Sequence, residues 1–156
     1  MSDLRLVNLA EAHLQDVARI EKASNPSPWS EESFRAELKN PHSIFLVAMI
    51  GQEVVAFGGL WLVVDEAHIT TLAVEPARRG QGIGKKLMQE LLNIAHAKGM
   101  TCSTLEVRAG NEAALALYHS LGYVSVSCRR KYYPDNDEDA VVMWLRQIPS
   151  PLKGEG

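Results

Sequence analysis

The sequence lacks several features that would assign it to a specialised class of protein. Only 2 of its 156 residues are cysteines, and Cys102 and Cys128 do not have the spacing of a metal-binding pair. We expect both to be small buried side chains in a reducing compartment. The longest apolar runs, Ile44–Ile50 and Val54–Val64, are much shorter than the ~18–20 residues that a membrane-spanning helix requires.

An excess of charge of one sign is also missing. The 16 Lys and Arg residues and the 19 Asp and Glu residues give a net charge of −3, whereas a nucleic-acid-binding domain usually carries a strong basic excess. No apolar segment typical of a secretory signal follows the first residues. We therefore expect a soluble, cytoplasmic protein, a monomer rather than an oligomer, without dedicated nucleic-acid binding and without a membrane partner.

Length and composition favour one domain. Hydrophobic residues make up 46% and charged residues 22% of the chain, which is usual for globular proteins. The sequence contains no internal repeat and no interior linker. We predict a single domain over residues 1–148 and a flexible C-terminal tail over 149–156, where two prolines and two glycines leave little to bury.

Two helices are predicted in the first quarter of the chain. Asn8 is a candidate N-cap for the first, with Glu11 three residues later to complete a capping box. The second begins at Ser30, another good N-cap. Trp29 and Phe34 flank this start at the spacing of a hydrophobic staple.

Strands and helices then alternate along the chain. The apolar runs Ile44–Ile50 and Val54–Val64 predict a hairpin that turns at Gly51-Gln52, and Gly58-Gly59 predicts a bulge or a close approach of another group to the backbone. The remaining predicted elements are a strand at Ala67–Val74, a helix with Ile83, Leu87, Leu91 and Ile94 on one face that ends at Lys98-Gly99, a strand at Thr104–Val107, a helix capped by Asn111 and ended by Gly122, and strands at Tyr123–Cys128 and Ala140–Leu145. The order ααβββαβαββ predicts a mixed α/β fold with one central sheet.

A glycine-rich segment, residues 78–86, carries the clearest functional signal. It leaves a strand and opens a helix, and its three glycines and four cations suit an anion such as a phosphate or pyrophosphate. A glycine-rich helix start with solvated charges is the alternative interpretation. A Walker A loop is excluded because Arg79 stands where its first glycine belongs, and a dinucleotide loop is excluded because Lys85 stands at its third glycine.

The pattern R-x-x-G-x-G, formed by Arg79, Gly82 and Gly84, resembles the acetyl-CoA loop of the GNAT family of N-acetyltransferases. The resemblance covers nearly the whole chain, because the predicted element order is also that family's. Further segments are similar to the RimI subfamily, whose members acetylate the N-terminal alanine of a small-subunit ribosomal protein. They are Pro28-Trp29-Ser30, Leu105–Asn111, Ala116-Leu117-Tyr118, Leu121-Gly122-Tyr123 and Arg129–Pro134.

The resemblance implies a set of site residues and acetyl-CoA as co-substrate, without a metal. Glu106 would be the general base for the incoming amine and Tyr118 the general acid for the departing thiolate. The implied contacts of acetyl-CoA are Leu72, Ala73 and Val74 for the pantetheine arm and thioester, Arg79, Gly80, Gln81, Gly82, Ile83, Gly84 and Lys85 for the pyrophosphate, and Asn111 and Tyr118. Gly110 departs from the pattern, because close relatives are expected to have serine there.

Other interpretations stay open at these positions. Without the resemblance, Glu106 would be an outward-facing strand carboxylate and Tyr118 a core tyrosine. The acidic segment Asp135–Asp139 fails the calcium-loop pattern, so it is a solvated hairpin loop or a contact for a cationic peptide N-terminus. The alternative functions are a GNAT enzyme that acetylates lysine or a small amine, and an acyl-CoA-binding module without catalysis.

Overall fold

A computed structural model describes residues 3–150 of the chain. Its strands are β1 (Leu4–Asn8), β2 (Ser43–Ile50), β3 (Glu53–Val63), β4 (Glu66–Val74), β5 (Cys102–Arg108), β6 (Val124–Tyr133) and β7 (Glu138–Leu145). Its α-helices are α1 (Leu14–Ser24), α2 (Glu31–Glu37), α3 (Ile83–Ala97) and α4 (Glu112–Ser120). The strands form one seven-stranded sheet in the order β1-β2-β3-β4-β5-β7-β6, which confirms the mixed α/β class. Over these residues, no helix combines the length and the apolarity needed to cross a membrane.

Strand β1 corrects the predicted element order, ααβββαβαββ, which began with a helix. The strand pairs antiparallel with β2, with Leu4 opposite Ile50 and Asn8 opposite Leu46. Asn8 is therefore the last residue of a strand and not a helix cap, and α1 begins only at Leu14 after a short 3-10 turn. Five residues are too few for a clear period, and the partner strand that stabilises them lies about forty residues further along the chain.

The other local predictions in this region are confirmed. Ser30 caps α2, since its Oγ accepts the N–H of Ser33 at 3.1 Å. The ring centroids of Trp29 and Phe34 lie 5.2 Å apart, as the hydrophobic staple requires. The hairpin between β2 and β3 turns at Gly51-Gln52, with Gly51 at a φ of +60°.

Gly58 and Gly59 mark a close approach to the backbone, one of the two predicted possibilities. A Cβ at Gly59 would lie 2.5 Å from the Phe45 ring, and one at Gly58 would lie 2.8 Å from Leu72 Cδ1. The bulge of this strand pair lies elsewhere, because the register shift leaves Val55 as the extra residue of β3. The glycines therefore make room for neighbouring side chains.

The chain divides into two compact units, one formed by the residues up to Trp61 with Thr70–Leu91, the other by Leu62–Ile69 with the residues from Leu92 onward. In the first unit, α1, α2, β2 and β3 enclose an aromatic core. Phe34 meets Phe45 and Phe57 edge-on, at centroid distances of 5.7 and 5.4 Å. The single domain over residues 1–148 and the flexible tail over 149–156 stay predictions, and residues 151–156 of that tail lie outside the described residues.

In the second unit, β5 alternates between a buried and an accessible face. Leu105 and Val107 are buried, whereas Glu106 between them is exposed. Strand β7 inserts between β5 and β6, so β6 is an edge strand. The two cysteines correct a prediction, because Cys102 is only half-buried and Cys128 is exposed on this edge strand.

Candidate active site

The glycine-rich loop connects the end of β4 to the start of α3. A 3-10 turn over Pro76–Arg78 follows β4, and α3 begins at Ile83. Gly80 and Gly82 have φ values of +80° and +81°, a region in which other residues are strained. A Cβ at either position would meet nothing within 4 Å. The backbone conformation, rather than crowding, therefore requires glycine, and this side of the loop is open.

The start of α3 is suited to bind an anion. Its first turn holds no acidic residue, and the N–H groups that open a helix have no partner within it. The helix dipole adds a favourable field for negative charge. Lys85 and Lys86 are exposed and form no ion pair with any residue in the described range 3–150. Open glycines, free N–H groups and unpaired cations together fit a pyrophosphate group.

The two arginines of the loop have partners within the protein. Arg79 donates from Nε to the carbonyl of Val74 and from Nη2 to Ser24 Oγ, both at 3.1 Å. Arg78 donates to Glu53 at 3.3 Å. Arg79 therefore joins the loop to the end of β4 and to the end of α1. The guanidinium groups brace the loop, and its unpaired cations are the lysines.

The last residues of β4 lie in the same unit as the loop. Ala73 is buried in the aromatic core, and the carbonyl of Val74 is held by Arg79. The next residue, Glu75, donates its N–H to the carbonyl of the bulge residue Val55 at 2.8 Å. The strand end and the loop predicted to hold the two parts of acetyl-CoA are thus one continuous, anchored segment.

In the second unit, Glu106 has two partners from β6. Its Oε2 lies 2.7 Å from Arg129 Nε, and its Oε1 accepts the hydroxyl of Tyr132 at 3.3 Å. Glu106 is accordingly an oriented carboxylate at an accessible face of the sheet, rather than a freely solvated one. The sequence marked Arg129–Pro134 as a family motif, but nothing in its spacing showed that this segment pairs with Glu106.

Tyr118 is buried, with 7% of its surface exposed, and packs edge-on against Tyr123 at a centroid distance of 5.8 Å. Burial, and to a smaller degree Tyr133, raises the pKa of the Tyr118 phenol above its ordinary value. The phenol is protonated at neutral pH, which is the state that a general acid requires. Asn111 caps this helix as predicted, since its Oδ1 accepts the N–H of Ala114 at 3.1 Å.

A cluster missed by sequence reasoning ties the acidic loop to the end of β5. Arg108 pairs with Asp135 at 3.1 Å and with Glu138 at 3.4 Å, and its guanidinium stacks 4.0 Å above the Tyr133 ring. The predicted solvated loop over Asp135–Asp139 is therefore partly engaged inside the protein. The opposite charges of Arg108 and the loop were the available signal, but only the hairpin geometry brings them together.

The same cluster contacts the backbone at Gly110. Glu138 Oε2 accepts the Gly110 N–H at 2.8 Å, and a Cβ at Gly110 would lie 2.7 Å from that oxygen. A serine, as the resemblance predicted, would displace the Glu138 carboxylate. The Glu138 side chain is flexible, so a small movement of its carboxylate would accommodate a side chain at position 110.

The structure combines four features of an acyl-CoA-dependent acetyltransferase. They are the sheet order, the anion loop before α3, the oriented carboxylate and the buried tyrosine. Residues 14–123 match the acetyltransferase (GNAT) family, and the chain belongs to that family. It is thus an N-acetyltransferase that uses acetyl-CoA.

Relatives are similar over nearly the whole chain. The [ribosomal protein bS18]-alanine N-acetyltransferase of Escherichia coli strain K12 is 36% identical over 147 residues, which cover 93% of this chain and 95% of the relative. The N-alpha-acetyltransferase RimI of Mycobacterium tuberculosis is 39% identical over 120 residues, 74% of each chain. The crystal structure of the ribosomal-protein-S18-alanine N-acetyltransferase from Escherichia coli superposes with a TM-score of 0.85 at 32% identity, covering 97% of each chain.

Proposed function

We propose that this protein acetylates the N-terminal α-amine of an alanine, on a small-subunit ribosomal protein such as bS18. Its similarity to bS18-alanine N-acetyltransferases extends along 93% of the chain, which supports this acceptor. The observation that carries the chemistry is the oriented Glu106 carboxylate in the same unit as the buried Tyr118. The reaction would take place in the cytoplasm, where ribosomal proteins are made.

In the proposed mechanism, the peptide amine attacks the thioester directly and no enzyme nucleophile is needed. Glu106 accepts a proton from the amine, directly or through a water molecule, and Tyr118 donates a proton to the departing thiolate. An α-amine has a pKa of about 7.7–8.0, so about a tenth of it is neutral at pH 7. A lysine amine, at about 10.4, would cost ~3.5 kcal/mol more to deprotonate. One carboxylate base therefore suits an N-terminal acceptor.

Binding of acetyl-CoA, which supplies the activated acetyl thioester, is assigned to this chain's backbone groups. Gly80–Lys85 would hold the pyrophosphate through N–H groups, with Arg79 bracing the loop. The backbone of Leu72–Val74 would bind the pantetheine arm and polarise the thioester carbonyl. Asn111 and Tyr118 would complete the contacts.

Mass spectrometry tests the acceptor. Purified protein and acetyl-CoA are mixed with an alanine-starting bS18 peptide, and separately with an N-terminally blocked twin that contains lysine. We expect the mass of one acetyl group to be added to the free-amine peptide alone. Addition to the blocked twin would indicate a lysine acetyltransferase. Addition to neither, with acetyl-CoA still bound, would indicate a small-amine acceptor or a binding module.

The proposed base and acid are tested by Glu106→Gln and Tyr118→Phe. We expect each to lower kcat by about 10²–10⁴-fold, the usual contribution of a positioned acid or base, while the Kd of acetyl-CoA changes little. Glu112→Gln and Tyr123→Phe are the matched controls. Glu112→Gln removes an exposed carboxylate and Tyr123→Phe removes a buried phenol hydroxyl, each close in sequence to a test position. Both variants should keep near-normal kcat. Near-normal kcat in both test variants would reject the assignment.

A further inference from the structure

The two oxygens of the Glu106 carboxylate have unequal partners. Oε2 lies 2.7 Å from Arg129 Nε, a close ion pair between opposite charges rather than an aligned hydrogen bond. Oε1 meets the neutral hydroxyl of Tyr132 at 3.3 Å, near the outer limit of a hydrogen bond. One oxygen thus faces a positive charge, and the other meets a neutral hydroxyl that an incoming group can displace.

An irregularity in β6 makes this arrangement possible. Side chains three residues apart on a regular strand point to opposite faces, yet Arg129 and Tyr132 both reach Glu106. The β6–β7 register breaks between Arg129 and Tyr133, and Lys131 between them has a φ of +51°. The N–H of Lys131 is bound to Asp139 Oδ1 at 2.9 Å, which holds the distorted segment in place.

The sheet register brings Arg129 to Glu106 across a whole strand. Glu106 lies opposite Val142 of β7, and on the other side of β7 Arg129 lies opposite Ala140. Ala140 and Val142 are two residues apart and therefore share one face of β7, so their partners Arg129 and Glu106 lie on that face as well. The pair is therefore built by three adjacent strands and not by local sequence.

We propose that Arg129 is a positioning residue for the reaction. It holds Oε2 so that Oε1 is presented to the peptide amine, which displaces the Tyr132 hydroxyl as it gives up its proton. The inference rests on the proposed role of Glu106 as base. Arginine suits the task because its guanidinium is always charged and is more weakly hydrated than the ammonium of lysine, so it stays close to the carboxylate.

Steady-state kinetics of Arg129→Ala and Arg129→Lys test the proposal, with the alanine-starting peptide as acceptor. We expect kcat to fall at least about tenfold in Arg129→Ala, because a misplaced base slows proton transfer, with little change in the KM of acetyl-CoA. Arg129→Lys should recover part of the loss. Millimolar guanidinium ion should restore kcat to Arg129→Ala only, because the Arg129 side chain is 60% exposed and its place is open to a small cation.

Arg130→Ala is the matched control. It removes the neighbouring arginine, which is exposed and has no side-chain partner among residues 3–150, and should leave kcat unchanged. Circular dichroism and thermal melts show whether each variant is folded. If Arg129→Ala were unfolded, Arg129→Gln would take its place, and a lowered kcat would support the positioning role whereas an unchanged kcat would overturn it.

The outcomes separate this inference from the proposed function. An unchanged kcat in a folded Arg129→Ala would overturn the positioning role, as would a loss confined to the KM of the peptide or an increased rate. In each of these cases the active wild-type enzyme would leave the proposed function intact. A wild-type protein that binds acetyl-CoA but acetylates no N-terminal peptide would reject the proposed function and the positioning role with it.

Discussion

Val64, in the turn between β3 and β4, is a β-branched residue with a strained backbone. Val64 has a φ of +58° and is 92% exposed. A β-branched side chain is poorly accommodated in this left-handed region, and the exposed side chain gains little from packing. The turn is nevertheless anchored, since the carbonyl of Asp65 accepts the N–H of Thr101 at 2.8 Å. Tertiary contacts therefore maintain a conformation that the residue itself disfavours.

We predict that the single substitution Val64→Gly stabilises the protein. Relief of the strain should exceed the extra chain entropy of glycine and raise the free energy of unfolding by about 0.5–1 kcal/mol. Urea titration followed by circular dichroism measures it. Val63→Gly is the control, because Val63 lies in β3 and its loss should destabilise. A less stable Val64→Gly variant would contradict the strain argument.

The β6–β7 hairpin shows how one element is fixed by its contacts with others. Glu138 binds the Gly110 N–H at 2.8 Å and Arg108 at 3.4 Å. The Gly110 hydrogen bond, and then Asn136 and Arg108, lower the pKa of the Glu138 carboxyl below its ordinary 4.5. The hairpin that carries the partners of Glu106 is thus tied to the segment that leads into α4.

A carboxyl whose pKa is lowered by folding stabilises the folded state at any pH above its ordinary, unfolded pKa. That contribution is lost as the pH falls through the pKa of the folded state. We therefore expect Glu138→Gln to be less stable than wild type at neutral pH, with the difference shrinking as the pH falls below 4.5. Urea unfolding at neutral and acidic pH measures it. Asp137→Asn, an exposed change in the same loop, should show no such pattern. A difference independent of pH would contradict the assignment.

For the molecule as a whole, two buried tyrosines make stability depend on pH in the alkaline range. Burial raises the pKa of Tyr118 and of Tyr123 above the ordinary value of 10.0, although the Ser103 hydrogen bond opposes the shift at Tyr123. The folded protein therefore keeps both phenols protonated at a pH where the unfolded chain ionises them. The contribution is complete below pH 10 and is lost as the pH rises above it.

We predict that the free energy of unfolding falls above pH 10, and that Tyr118→Phe makes the fall shallower by about 1.4 kcal/mol per pH unit, the value for one proton. Urea unfolding at a series of alkaline pH values measures the slope. Tyr132→Phe is the control, since Tyr132 is 43% exposed and its loss should leave the slope unchanged. Equal slopes for wild type and Tyr118→Phe would contradict the prediction.

Sequence alone determined the features that depend on a few consecutive residues. The caps at Ser30 and Asn111 and the turn at Gly51-Gln52 follow from side-chain and backbone preferences that act within one turn of chain. The anion-binding character of residues 78–86 follows equally from glycines and cations in one short run. Family resemblance then identified Glu106 and Tyr118 as the proposed base and acid. Without it, Glu106 could equally be an outward-facing strand carboxylate and Tyr118 a core tyrosine.

Only the tertiary structure decided which distant segments meet. It pairs β1 with β2, inserts β7 between β5 and β6, and joins Glu106 to Arg129 across a strand. It also engages Arg79 with Ser24. These contacts depend on strand register and on the packing of segments far apart in the chain, and the same side chains are compatible with many partners until the core has formed. The chemical character of a short segment can therefore be predicted from the sequence, whereas the residues that orient its side chains depend on the fold.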